Sequence, residues 1–240
     1  MRTTAILAAA AAAALAAPAS ATILTFDIDN SQPNSIIAMD QGYGDRVAAL
    51  VQGNAIYGVG AEGFTPNVLL SYYGGTANAG LTRWTTDYGD LTNILENEDD
   101  GDTLLGLTMT ADAGYRAALY GFDLGGWPDT DYTIAGVSIY DGATLLFSQA
   151  NVLVEGDLTG PRHTTFAFAA PYVGTDLRVL VDLTGLGGNS DNIGIDNVRF
   201  GQQLTATSGV PEPATWSMMI AGFALVGGTM RRRRTSVAFA

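Results

Sequence analysis

The sequence predicts an all-β chain, an antiparallel β-sandwich of jelly-roll type, held between two terminal segments that serve export rather than the fold. Short runs rich in β-branched and aromatic residues alternate with turns of glycine and aspartate, and 30 of the 240 residues are glycine. Between residues 22 and 209 no segment keeps a helical period beyond a turn near Asp45 to Val51 or Leu91 to Leu95. Each end of the chain is an apolar run with a basic flank. Many short strands with long glycine-rich connections suit two packed antiparallel sheets.

At the N-terminus, Arg2 supplies a small basic region and Ala5 to Ala17 an apolar stretch too short to span a membrane as a resident helix. Ala19-Ser20-Ala21 places small residues where signal peptidase cuts. Residues 1–21 therefore read as a signal peptide, with the mature chain starting at Thr22.

Residues 22–201 form the predicted sandwich. Its first strand runs from Thr22 to Ile28, followed by Val68 to Tyr73, Leu104 to Thr110 and Tyr115 to Phe122. Thr133 to Tyr140 and Ala143 to Phe147 flank Asp141-Gly142, and Asp-Gly suits a type I′ hairpin turn because that turn needs positive φ at both central residues. Thr164 to Ala169 follows. Leu177, Val179, Val181 and Leu183 then alternate with Arg178, Leu180 and Asp182, the mark of a half-buried strand. In the closing strand, Ile193 to Phe200, the apolar face switches from Ile193 and Ile195 to Val198 and Phe200, so a bulge is expected at Asp196-Asn197. Residues 202–209 make a linker.

Residues 210–234 carry a second signal. Val210-Pro211-Glu212-Pro213 leads into the apolar run 214–230, which stops at Arg231-Arg232-Arg233-Arg234, ahead of a short tail, 235–240. The prolines hold the chain extended and exposed, and the arginines act as a cytoplasmic stop-transfer signal. At about 1.5 Å per residue the apolar run spans roughly 25 Å, enough for a transient transmembrane anchor and short for a permanent one.

This order of motif, apolar helix and arginine cluster, including Trp216-Ser217-Met218-Met219, closely resembles the PEP-CTERM sorting signal of Gram-negative bacteria. The resemblance implies recognition at the Pro-Glu-Pro motif by the membrane-embedded transpeptidase exosortase, and an exported protein of an exopolysaccharide-producing cell. It also implies transient inner-membrane anchoring, followed by a place at the cell surface or outside. The body resembles a recurring class of such exported proteins at Gly42 to Val47, Gly63 to Val68, Tyr88 to Asn93, Tyr120 to Trp127 and Ile193 to Phe200. The last of these segments is similar to the final strand of carbohydrate-binding jelly-roll modules.

Composition narrows the function classes. Of the 24 acidic residues only Glu212 lies outside the body, against six arginines there (Arg46, Arg83, Arg116, Arg162, Arg178 and Arg199), and lysine is absent. So acidic a surface repels nucleic acid and attracts divalent cations. The absence of cysteine excludes disulfides, thiol catalysis and thiolate metal sites. The single histidine, His163, excludes a histidine-based metal cluster, and in its loop it reads as a solvated residue. No nucleophile elbow or phosphate-binding glycine loop is present.

Two candidate sites remain. Carboxylates are hard ligands that suit calcium, and the resemblance to jelly-roll modules implies a structural calcium joining Asp27 and Asp29 on the opening strand to Asp196 on the closing one. The acidic run Glu96 to Asp102 fails as an EF-hand, because with Gly101 at the sixth position Leu107 stands where a closing glutamate is required; it reads as a solvated loop. Flat aromatic rings stack on sugars, and among Tyr72, Tyr73, Trp84, Tyr88 and Trp127 the pair Trp84 and Trp127 is the carbohydrate candidate. The leading expectation is a noncatalytic exported protein of the surface or extracellular matrix, sorted by exosortase and in contact with exopolysaccharide. A carbohydrate-binding module is the alternative, and a secreted glycoside hydrolase the third reading.

Overall fold

A computed structural model describes residues 21–27, 37–47, 64–74, 81–98, 101–205 and 217–225. A first compact unit closes at Leu204. Its strands are β1 (Thr22–Leu24), β2 (Ile37–Ala38), β3 (Val68–Gly74), β4 (Leu81–Trp84), β5 (Ile94–Asn97) and β6 (Leu104–Ala111). They continue with β7 (Tyr115–Gly126), β8 (Tyr132–Asp141), β9 (Thr144–Val154), β10 (Thr164–Gly174), β11 (Asp176–Asp182) and β12 (Ile193–Leu204), the last preceded by a 3-10 turn, Gly187–Asn192.

The strands form two antiparallel sheets. The first runs β10-β7-β12-β5-β4-β2, with β1 also paired to β12, and the second runs β3-β6-β11-β8-β9. The pairs nest: β5 with β12, β6 with β11, β7 with β10, and the hairpin β8 with β9 innermost. The all-β sandwich read from the sequence is the observed architecture.

Period-two patterning explains the packing. On β11, Leu177, Val179 and Val181 are fully buried, as the alternation required, and they meet Leu105, Leu107 and Met109 of β6 within one core. Phe122 and Leu124 of β7 and Ile193, Ile195, Val198 and Phe200 of β12 line the same core from the other sheet. Each such side chain contributes about 1.5–3 kcal/mol on burial.

Three local expectations are corrected. The hairpin turn has Asp141 still paired with Thr144, leaving Gly142 and Ala143 as the loop, with positive φ at Gly142. Asp141 is held in the strand because its carboxylate accepts the backbone N–H groups of Thr175 and Asp176. The opening strand ends at Leu24 rather than Ile28, since Phe26 turns the chain with a left-handed φ of 53°. Burial of its ring against Tyr43 and Tyr72 accompanies that costly conformation. Finally, the short strands β2, β4 and β5 lie in segments that periodicity did not mark, and residues 94–95 are strand where a helical turn was one reading.

The bulge expected on β12 is present: the register against β7 shifts between Asp196 and Arg199, and Asn197 takes a φ of 50°. β5 pairs with β12 before the bulge, at Gly194 and Ile195, and β1 after it, at Val198 to Phe200.

On the outward face of the first sheet, loops press so closely that side chains are excluded. A Cβ on Gly194 would meet the Ile94 side chain at 2.5 Å, and one on Gly125 would meet the Tyr88 carbonyl oxygen at 3.0 Å; on the inward face, a Cβ on Gly126 would meet the Thr130 carbonyl oxygen at 2.1 Å. These contacts let a second, smaller apolar cluster, Tyr88, Leu91 and Ile94 with Trp84 and Trp127, sit outside the main core.

In the second unit, residues 217–225 are helical and exposed. The remainder of the expected span 214–230, the signal peptide and the Pro-Glu-Pro and arginine motifs lie outside the described residues. Among the described residues no helix is long and apolar enough to cross a membrane.

The clash at Gly126 is with backbone, so relief requires the 127–130 turn to move. Gly126→Ala is expected to cost about 1–3 kcal/mol, lowering the melting temperature by roughly 2–4 °C per kcal/mol. It should also change the Trp127 environment, and circular-dichroism melts with tryptophan emission spectra check both.

Candidate functional site

An open pocket of about 100 Å³ lies on this outward face, lined by Trp84, Tyr88, Glu96, Glu98, Trp127, Asp191 and Asn192. Strand geometry places its residues. Leu95 faces the main core, so Ile94 and Glu96 face outward, and Glu98 follows two residues on. Opposite Ile94, Trp84 lies on the same face of β4, while its neighbour Arg83 turns inward and is fully buried, donating from Nη1 to Asn93 Oδ1 at 2.8 Å.

Hydrogen bonds fasten the other walls. The Trp127 amide donates to the Asn192 carbonyl at 2.8 Å, and the Tyr132 hydroxyl donates to the Trp127 carbonyl at 2.8 Å. Asn192 Nδ2 donates to the Tyr132 hydroxyl oxygen at 2.8 Å, and the Tyr88 hydroxyl to the Asp191 carbonyl at 3.0 Å. The Gly89 amide donates to Asp129 Oδ1 at 3.1 Å, tying the 85–93 loop to the 127–130 turn.

The two tryptophans chosen from the sequence meet here. Their ring centroids are 6.2 Å apart at an interplanar angle of 79°, so they form two walls nearly at right angles. Both indole N–H groups are buried, and neither has a hydrogen-bond partner among the described residues. Tyr88 joins them. Tyr72 does not: it is buried in the core of the other sheet, and Tyr73 donates from its hydroxyl to the Val179 carbonyl.

Glu96 carries the strongest electrostatic signature of the pocket. It is 2% exposed, and the Thr82 hydroxyl donates to its Oε1. Burial, reinforced by the charges of Glu98 and Asp191, pushes its carboxyl up to about 8. The reading of Glu96 as part of a solvated loop is thereby corrected, because it belongs to β5, which is buried through Asn97, and exposure begins at Glu98. Glu98, Asp191 and Asn192 were also missed. The spacing of Glu96 and Glu98, which puts both on one face of a strand, was the available signal.

A second acidic group lies at the β12 bulge. Asp196 is 4% exposed, accepts the Asn197 amide at 2.6 Å, and is pushed up to about 8 by burial, with the charges of Asp27 and Asp123 adding to the effect. Asp123 is its cross-strand partner. Asp123 Oδ1 is buried without a hydrogen bond, 3.6 Å from Arg199 Nη2. Asp27 accepts from Thr25 Oγ1 at 2.9 Å and from Asn93 Nδ2. The donor oxygens suit a hard cation. Among the described residues, however, no three acidic or histidine side chains converge as a metal-holding group, and Asp29 lies outside them.

His163 sits on the surface, its Nδ1 2.7 Å from Asp90 Oδ1. It takes no part in either site.

No curated protein matches the sequence. Among solved structures, an arabinose-bound α-L-arabinofuranosidase is similar over 76% of this chain at 15% identity and a TM-score of 0.37, and this chain spans only 26% of that enzyme. A Stig cyclase from Fischerella sp. TAU, in complex with (3Z)-3-(1-methyl-2-pyrrolidinylidene)-3H-indole, is similar over 78% of this chain and 99% of its own, at 18% identity and a TM-score of 0.37. Likenesses this distant carry no argument about activity. Residues 209–234, in contrast, match the PEP-CTERM protein-sorting motif, which implies an exported chain processed by exosortase. The C-terminal part of this chain thus carries a PEP-CTERM sorting motif.

Proposed function

We propose that the chain is a noncatalytic exported protein of the cell surface or extracellular polysaccharide matrix, whose jelly-roll body holds a glycan in the Trp84–Trp127 pocket. The convergence of those two tryptophans with Tyr88 in one open pocket carries the reading. Aromatic walls suit the apolar faces of a sugar, and carboxylates with an amide at the rim suit its hydroxyls. The nested strand pairing supports a jelly roll, with β1 to β4 added outside it.

The third reading, a glycoside hydrolase, draws on Glu96, whose raised carboxyl beside aromatic rings is the usual setting of a general acid. Pocket size favours binding instead. About 100 Å³ admits part of one sugar ring, whereas cleavage requires sugars seated on both sides of the bond.

Sorting follows from the two signals. Signal peptidase cuts after Ala21, residues 214–230 hold the chain transiently in the inner membrane with Arg231 to Arg234 inside, and exosortase acts at Val210 to Pro213. A structural calcium bound by Asp27, Asp29 and Asp196 is the cation proposed to tie the opening and closing segments.

Replacing Pro211-Glu212-Pro213 with alanines should leave translocation intact and stop release, so that the chain accumulates in the inner membrane. Mass spectrometry of the wild-type extracellular form should find it starting at Thr22 and ending near the motif. An extracellular form that retains Trp216 and the arginine cluster would overturn this scheme.

Calcium should raise the melting temperature of the full chain, by an amount equal to about 2.7 kcal/mol at a hundredfold excess over Kd. Because the Asp196 carboxyl is raised in the folded state, from 3.8 to about 8, the folded chain binds the proton more tightly than the unfolded chain does. Without calcium, stability therefore falls as pH rises across that window. Asp196→Asn should remove both the fall and most of the calcium response. Identical melting in calcium and in chelator would show that the bulge holds no ion.

A further inference from the structure

We propose that the Trp84–Trp127 pocket is selective for a sugar bearing a free ammonium group, an amino sugar without its N-acetyl cap. The inference rests on the carbohydrate-binding reading and adds the ligand's charge to it.

The pocket has a sign. Among the described residues, Glu96, Glu98 and Asp191 line it and no arginine does. The nearest arginine in sequence, Arg83, faces the opposite side of β4. A neutral sugar brings these acidic groups no counter-charge, and a uronic acid or phosphorylated sugar would be repelled. An ammonium group answers both the charge and the rings, since cations are attracted to the faces of tryptophan and tyrosine. Two indoles at 79° with Tyr88 beside them enclose such a group from more than one side.

Glu96 is the decisive residue. It is almost wholly buried, yet among the described residues its side chain makes one hydrogen bond, accepted by Oε1 from the Thr82 hydroxyl, which leaves the second oxygen for a ligand. Among the described residues the titratable groups that face it are Glu98 beyond its own strand, Asp191 of the 3-10 turn and Tyr88 of the 85–93 loop, none of them cationic. The buried carboxyl therefore keeps its proton at neutral pH when the pocket is empty. A bound ammonium favours the ionised form, so binding releases that proton to solvent.

The test is isothermal titration calorimetry of the full chain in detergent at about pH 6, where both the amine and Glu96 start protonated, in buffers of different ionisation heat. Three disaccharides with the same linkage are compared: the glucosamine dimer, its N-acetylated counterpart and cellobiose. The glucosamine dimer is expected to bind roughly tenfold or more tightly than the other two and to release up to one proton per site. Glu96→Gln should keep the fold, level the three affinities and abolish the proton release, and Trp127→Ala should weaken all three.

Equal binding of the three sugars by the wild type would overturn the ammonium inference and leave the carbohydrate reading standing. Binding of none would overturn both. Tetramethylammonium binding as tightly as the glucosamine dimer would overturn the sugar reading and this proposal with it. Binding that survives both substitutions would reduce the effect to general attraction by an acidic surface, and would also overturn it.

Discussion

The pairing of β7 with β12 is the contact on which the rest of this structure depends. These two twelve-residue strands form the longest ladder of the first sheet, and each places its apolar alternate residues in the main core. Every other part of the first sheet is built outward from them: β10 on one flank, β5 and β1 on the other. A ladder of that length would make a smooth, closed face if its register were perfect. The bulge at Asp196-Asn197 interrupts it, and β12 serves β5 on one side of the break and β1 on the other. The same break turns Asp196 beside Asp123 and Asp27, producing a buried acidic junction where three segments meet.

Both acidic features of the outward face run against stability in isolation. A carboxyl raised by burial is a group that solvent would ionise and the fold keeps neutral, so each imposes a cost that grows with pH. Core packing could have supplied apolar residues at both positions at no such cost. Their retention is explained if something positively charged offsets them, an ion at the bulge and an ammonium at the tryptophans. The two are distinguishable by their surroundings. The bulge offers oxygens and no aromatic walls, as a hard cation prefers, whereas the pocket offers both rings and oxygens, as an organic cation prefers.

Much of the fold was legible in the sequence, because period-two alternation reports burial directly. Leu177, Val179 and Val181 announced their strand, and the phase change between Ile195 and Val198 announced the bulge. What escaped were strands of four residues or fewer. Leu81 to Trp84 and Ile94 to Asn97 are too brief to show a period, and their polar members, Arg83, Glu96 and Asn97, are buried against the expectation for their types. The hairpin turn shifted by one residue for a related reason. Asp141 is held by hydrogen bonds to Thr175 and Asp176, about thirty-five positions away, and no local rule sees so far.

The site was half legible for the same physical cause. Tryptophans are few, so choosing Trp84 and Trp127 from the aromatic residues needed only the observation that both flank loops. Choosing among 24 acidic residues needed the pocket itself. Glu96 is set apart by burial, and its burial arises from the loops that fold over β5 and from the glycines at 125 and 194 that let them approach. Export is a different kind of information. The sorting motif is a run of contiguous residues, 209–234, and can be recognised without a fold. A binding pocket needs no such run. Its residues need only be adjacent in space, which is why the sorting motif is written plainly along the sequence while the tryptophan pocket emerges only from geometry.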